Sequence, residues 1–105
     1  MSPDEIATIA KALSNPARVR IVDLLALSTR CPGPEVFGSL QLAQSTVSEH
    51  LRILREAGVV TSSQQGSSAV YSLDRLRLER FAHAVGAFAG AMSGPDDRAP
   101  YGGTD

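Results

Sequence analysis

The spacing of apolar residues predicts helices in the first third of the chain. Residues 2–5, Ser-Pro-Asp-Glu, combine a capping serine, a proline suited to the first helical position and a glutamate that completes a capping box. Asn15 and Pro16 form a second helix start. A stretch rich in proline and glycine at residues 29–34 predicts a break before a short third helix over about residues 34–40. Within the first helix the apolar residues recur at i, i+3, i+4 and i+7, which is the spacing of one helix face; they are Ile6, Ile9, Ala10 and Leu13.

Residues 45–58 predict a helix with one apolar face and one polar face. Val47, Leu51 and Leu54 form the apolar side, and Gly58 is typical of a residue that ends a helix. Residues 41–43, Gln-Leu-Ala, give the short connection found in helix-turn-helix units. An outer face without long apolar residues near its start can lie in a groove. That face carries hydroxyls, an acid and arginines: Ser45, Ser48, Glu49, Arg52 and Arg55.

The hydrophobic period changes after Gly58, and it predicts a hairpin followed by a last helix. Strands over residues 59–63 and 68–73 flank a turn at 64–67 that contains a glycine. Asp74 caps the last helix, and from residue 94 to 105 no pattern is present, so we expect a disordered tail there and one domain over residues 1–93. The apolar stripe of the last helix is Leu78, Phe81, Ala82, Val85, Phe88, Ala89 and Met92.

This order of elements predicts a mainly α fold with a β-hairpin wing: a winged helix-turn-helix of five helices and two antiparallel strands. The first and last helices each carry an apolar stripe, and a monomer of 105 residues cannot bury both. We therefore expect a homodimer with closed two-fold symmetry, formed by the terminal helices. The residues expected at its interface are Ile6, Ile9, Leu13, Phe81, Val85, Phe88 and Met92.

Composition narrows the classes of function. A formal net charge of −1 argues against a broadly basic coat that binds nucleic acid, although it allows a local basic face. The one cysteine, Cys31, cannot form an internal disulfide, which fits a reducing compartment. Without a long apolar run or a signal-like amino terminus, we expect a cytoplasmic protein with no membrane partner. The chain has no Gly-rich phosphate loop, no His-Glu-x-x-His pair and no paired nucleophile and base, so we expect neither an enzyme nor a cofactor.

Three separated motifs resemble the ArsR/SmtB family of bacterial winged-helix repressors. KALSNPARVRIVDLL (residues 11–25) is similar to the family's second-helix signature. QSTVSEHLRILREAGVV (residues 44–60) resembles its recognition helix and first wing strand, and SAVYSL (residues 68–73) resembles its second wing strand. The resemblance covers about residues 5–92. It implies a homodimer that binds a dyad-symmetric operator, blocks transcription and is released by an inducing ligand.

The resemblance and the polar helix together predict contacts with double-stranded operator DNA. Side chains near the start of a recognition helix meet bases and phosphates, and arginines reach phosphates or guanine edges. The uncharged wing tip departs from the family, whose wings often carry basic residues, so charge-dependent affinity must come from arginines elsewhere. The residues expected at the DNA are Arg18, Gln44, Ser45, Thr46, Ser48, Glu49, His50, Arg52, Arg55, Gln64, Gln65, Gly66 and Ser67.

Simpler interpretations of these residues stay open. The hydroxyls at positions 45, 46 and 48 can cap the helix, and we expect that some of them do. Arg52 and Arg55 can be solvated and paired with glutamates at helical spacing. Arg18 is equally well a phosphate contact or a charge held near its helix start. His50 is interpreted as structural or phosphate-touching, not catalytic.

The family's metal sites lack their ligands in this sequence. Pro32 and Pro34 stand where the resemblance places thiols, and Leu76 stands where it places a histidine, so we expect no metal site. Cys31 is either a small buried residue or a thiol-based redox or arsenical sensor whose pKa Arg30 lowers. A winged helix used for protein–protein contact is a further alternative. The sequence identifies no effector.

Overall fold

The computed structural model describes residues 1–27 and 31–92. The predicted tail at residues 94–105 and the proposed neighbour of the thiol, Arg30, lie outside the described residues. The elements follow in the order α1 (Pro3–Ala12), α2 (Pro16–Ala26), β1 (Cys31–Pro32), α3 (Gly33–Ser39), α4 (Gln44–Glu56), β2 (Val60–Gln65), β3 (Ser68–Leu73) and α5 (Arg75–Met92). The winged helix-turn-helix class is confirmed, with five helices among the described residues.

The helices begin at the predicted caps. The Glu5 amide donates to Ser2 Oγ at 3.2 Å and the Ser2 amide donates to Glu5 Oε1 at 2.8 Å, which completes the capping box. Asn15 Oδ1 accepts from the amide two residues later at 2.8 Å. Asp74 Oδ1 accepts from the Arg77 amide at 3.1 Å at the start of α5. Side-chain acceptors therefore satisfy amides that have no partner within their helices.

The sheet has a third strand that the sequence did not predict. Its order is β1-β3-β2, with Cys31 opposite Tyr71 and Pro32 opposite Val70. The expectation of two strands is corrected in this respect. β1 has two residues, too few to show an alternating pattern, and one of them is a proline. Proline is tolerated here because β1 lies at the sheet edge.

The wing has a tighter turn than predicted. β2 and β3 pair from Val60 opposite Leu73 to Gln65 opposite Ser68, so two residues connect the strands. Gly66 has φ +62°, the conformation that a two-residue hairpin turn requires of its first central residue. The prediction of a turn at residues 64–67 is therefore wrong in length, because Gln64 belongs to a strand.

An aliphatic core joins the helices to the sheet. The inner faces of α2, α3 and α4 meet the paired strands, while α1 packs against α4 and α5. No charged or polar side chain is buried among the described residues. Burial of this apolar surface is the main driving force for the fold. None of the described helices is both long and apolar enough to cross a membrane. The largest fully buried side chains are Ile9, Ile21, Leu25, Val36, Val47, Leu51, Leu54 and Val59.

Candidate nucleic-acid interface

The outer face of α4 is the candidate surface for binding nucleic acid. On the inner face Val47, Leu51 and Leu54 are at most 2% exposed, so the core fixes the rotation of this helix. α3 and a four-residue connection precede α4, in the order of a helix-turn-helix whose second helix enters the major groove. The exposed side chains of α4 include seven of the residues predicted from the sequence: Gln44, Ser45, Thr46, Ser48, Glu49, Arg52 and Arg55.

The amino end of α4 carries no capping side chain. The helix begins at Gln44, so its cap position is Ala43, which offers no side-chain acceptor. The expectation that some of the hydroxyls at positions 45, 46 and 48 cap the helix is wrong, because these residues lie inside its first turns. Amides at an uncapped helix start can bind phosphate.

Arg52 is paired with two acids on its own helix. Its Nε donates to Glu49 Oε1 at 3.0 Å, and Nη1 donates to Glu56 Oε2 at 2.6 Å. Nη2 donates to the second oxygen of Glu49, so this carboxylate is held by two parallel hydrogen bonds. The hydrogen bonds with Glu49 and Glu56 raise the pKa of Arg52. The pairing that the sequence allowed as a simpler interpretation is thus present in the structure.

Arg55 connects α4 to the wing. Its Nη1 lies 3.4 Å from Ser62 Oγ on β2, and both residues are exposed. This contact places a positive charge between the helix and the hairpin. No pattern in the sequence predicts this pairing, because the partner lies seven residues away across the turn at Gly58.

The wing is exposed and uncharged. Its tip contains Gln64, Gln65, Gly66 and Ser67, all of them exposed, and Gln64 Nε2 lies 3.5 Å from the Gly66 carbonyl oxygen. Residues 61–73 contain no charged side chain. Amides and hydroxyls at this tip can donate to phosphate oxygens, but they release no counterions.

Arg18 and His50 lie away from the exposed face of α4. Arg18 is half-buried, and its Nε donates to the carbonyl oxygen of Ala12 at 2.7 Å, which ties the end of α1 to α2. His50 is also half-buried, and its Nδ1 is buried without a hydrogen-bond partner among the described residues. Both environments fit structural roles better than DNA contact.

The thiol of Cys31 is enclosed by the sheet and α3. The side chain is 3% exposed, and Sγ lies 3.8 Å from Glu35 Oε1. Burial, together with the nearby Glu35 carboxylate, raises the pKa of the Cys31 thiol. Within residues 1–27 and 31–92, no group of three or more His, Cys, Asp or Glu side chains could hold a metal ion.

The residues predicted for a dimer interface differ in how exposed they are. Ile9 is fully buried in the protomer core and cannot form part of an exposed surface. Leu13 and Phe81 are partly buried against that core. Phe88 is 53% exposed on the second half of α5, and Ile6 and Val85 are half-buried. The side chain of Met92 lies outside the described residues.

Arg77 has a structural role that the sequence did not predict. Its Nε donates to the carbonyl oxygen of Ala57 at 3.0 Å, just beyond the end of α4. Its Nη1 lies 4.0 Å from Glu5 Oε2 on α1. The arginine thereby joins α1, α4 and α5 at one point. It also covers Gly58, whose φ of +77° closes the end of α4.

Comparisons with known proteins agree with this geometry. The family model described as "Bacterial regulatory protein, arsR family" matches residues 15–62, which run from the start of α2 into β2. The chain is 35% identical over 79 residues to the arsenical resistance operon repressor of Staphylococcus xylosus, covering 75% of each chain.

A second curated relative and a solved structure extend the similarity. The chain is 39% identical over 82 residues to the HTH-type transcriptional repressor SmtB of Mycobacterium tuberculosis; this covers 78% of the chain and 58% of that repressor. The solution structure of a homodimeric winged helix-turn-helix DNA-binding domain from Mycobacterium bovis superposes with a TM-score of 0.68 at 24% identity. The match covers 85% of this chain and 82% of that domain.

Proposed function

This chain belongs to the arsR family of bacterial regulatory proteins and is a DNA-binding transcriptional regulator, and we propose that its homodimer represses transcription at a dyad-symmetric operator. Two copies of α4, related by a two-fold axis, enter successive major grooves about one helical turn apart. The protein is not an enzyme in this proposal, and it needs no cofactor.

The exposed polar face of α4 is the observation that carries the proposal. Three buried apolar residues hold the helix in one rotation, and its outer face presents hydroxyl, amide and charged groups without a bulky apolar residue. Such a face supports hydrogen bonding to base edges and phosphates. The wing flanks the same surface and supplies uncharged donors at residues 64–67.

Dimerisation through the terminal helices is supported by the exposed ring of Phe88 on α5. Ile6 on α1 and Val85 on α5 are half-buried apolar residues on the same two helices. The solved relative from Mycobacterium bovis is described as homodimeric. An isologous contact of this kind gives the two-fold symmetry that a palindromic operator requires.

Cys31 is the candidate for chemical sensing, and its surroundings favour a structural thiol. A reactive thiol is partly exposed and has a lowered pKa. This one is enclosed, and burial and Glu35 raise its pKa. We therefore propose a repressor without metal or thiol induction, governed by its own concentration or by an organic ligand.

Selection of bound DNA from a random pool, with and without reducing agent, tests the proposal. We expect a palindromic sequence that is the same under both conditions. The alternative is a winged helix that contacts another protein, which the paired charge of Arg52 and the uncharged wing favour. A salt titration on the selected sequence then separates DNA binding from this alternative. Each phosphate neutralised makes the slope of log K against log salt more negative by about 0.9. Failure to enrich any sequence would contradict the proposal.

A further inference from the structure

The exposed face of α4 is less basic than its two arginines suggest. The Arg52 guanidinium is shared by Glu49 and Glu56, so this group of three side chains carries a net charge of −1. All three are exposed, with side-chain exposures of 45% for the arginine and 55% and 66% for the acids. A surface that bound DNA by charge alone would not place two carboxylates here.

Glu49 lies in the first half of α4. It lies in the second turn of the 13-residue α4, next to the hydroxyl at Ser48. Residues near the start of a recognition helix contact base edges. Glu56, in contrast, is the last residue of the helix, about 10 Å further along the axis at 1.5 Å per residue.

The carboxylate of Glu49 is oriented by Arg52. Both of its oxygens accept from Arg52, through Nε and Nη2, in the two-pronged geometry that fixes orientation as well as charge. The hydrogen bond from Arg52 also lowers the pKa of Glu49. The group is therefore an ionised acceptor that cannot donate a hydrogen bond.

The major groove offers few partners to such an acceptor. Guanine presents two acceptors there, and thymine presents an acceptor and a methyl group. Adenine presents its amino group beside the N7 acceptor, whereas cytosine presents an amino donor alone. Phosphates repel a carboxylate. Cytosine is thus the base that best matches the carboxylate.

We propose that Glu49 is a specificity-determining residue which accepts a hydrogen bond from the amino group of a cytosine in each half-site, and that Arg52 is a positioning residue which holds its carboxylate. This inference rests on the proposed function. Arg52 keeps the acid oriented and offsets its charge beside the phosphates. Arg52 therefore contributes to selectivity at one base pair rather than to general affinity for DNA.

Glu49→Gln and Glu56→Gln form a matched pair for testing this inference. Each variant removes one negative charge and one acidic partner of Arg52, but the second change lies at the far end of the helix. The operator selected by the parent is compared with copies in which one symmetric pair of positions is changed at a time. For the parent, replacing the contacted cytosine should weaken binding about tenfold or more, the usual range for a mismatch.

We expect Glu49→Gln to lose this discrimination at one symmetric pair or shift it toward adenine, because a glutamine amide pairs with the N6 and N7 atoms of adenine. Glu56→Gln should keep the parent's base preference while binding all sequences more tightly. Arg52→Lys retains the charge but loses the two-pronged contact, so it should weaken preference at the same pair while leaving the salt slope unchanged.

Identical base preferences for the parent, Glu49→Gln and Glu49→Ala would overturn the inference. An equal loss of base preference in Glu49→Gln and Glu56→Gln would also overturn the inference. These results leave the proposed function intact, because the parent would still select an operator. A parent that selects no sequence would overturn the proposed function as well, and the two failures are therefore distinguishable.

Discussion

Replacing Arg18 by alanine separates the two roles that the sequence leaves open for this residue. Its Nε donates to the carbonyl oxygen of Ala12 at 2.7 Å, and Ala12 is 2% exposed at the end of α1. The last carbonyls of a helix have no partner within it. Removing the guanidinium therefore takes away a charge-assisted hydrogen bond and leaves its acceptor without that partner.

The expected loss of stability follows from that contact. A hydrogen bond to a charged group contributes about 1.5–3 kcal/mol, and we expect the unfolding free energy to fall by that amount. With a urea m value of about 1–3 kcal/mol/M, the midpoint should fall by roughly 1 M. Circular dichroism measures this urea midpoint. The protomer concentration is kept the same for all variants, because the stability of a dimer depends on concentration.

Arg20→Ala is the matched control. It removes the same charge from the same helix at an exposed position, and surface substitutions usually change stability by less than about 0.5 kcal/mol. Operator binding is measured for both variants under conditions where both are folded. Unchanged stability in Arg18→Ala, with weaker operator binding and a smaller salt slope, would refute the structural role and assign the residue to a phosphate.

Three further predictions concern other parts of the molecule. Gly58→Ala should destabilise the fold by about 1–3 kcal/mol, because φ is +77° and the added Cβ would lie 2.6 Å from Arg77 Nε; Gly66→Ala, at φ +62° with nothing within 4 Å, should cost less in the same denaturation assay. Cys31 should be alkylated far more slowly in the folded protein than in urea, and equal alkylation rates would contradict its burial. Because the folded state retains the thiol proton, the unfolding free energy should also decrease as pH rises above the ordinary thiol pKa of 9.0. Phe88→Asp should give a folded monomer in sedimentation, because the ring is 53% exposed and an aspartate would lie in the apolar contact; a dimer that persists would place the interface elsewhere.

The sequence predicts helices well here because their signals are local. Ser2, Asn15 and Asp74 all cap the helices assigned to them, since a capping bond spans only two or three residues. The apolar period of α4 likewise placed Val47 and Leu51 in the core, because one buried stripe fixes the rotation of a helix. The candidate DNA-binding surface is the face of α4 opposite that stripe, so the same pattern predicts it.

Features that depend on contacts across the chain were not predictable in this way. β1 exists only because β3 lies beside it, and two residues carry no periodic signal of their own. The wing turn has only two residues because strand pairing extends to Gln65. The composition of the turn does not by itself show where that pairing ends. Pairing between strands is a property of the assembled sheet, whereas caps and stripes are properties of a segment.

The arginines illustrate the same distinction within the candidate site. Arg18 is a candidate DNA contact by sequence, yet its Nε, like that of Arg77, donates to a backbone carbonyl of another segment. Arg52 is held by acids at i−3 and i+4, a pairing that helical spacing allows but does not require. Counting basic residues on the polar face therefore overstates the charge available to a phosphate backbone. Because Arg52 is shared by two acids, we expect the selectivity of the α4 face to depend on its hydrogen-bonding groups more than on its net charge.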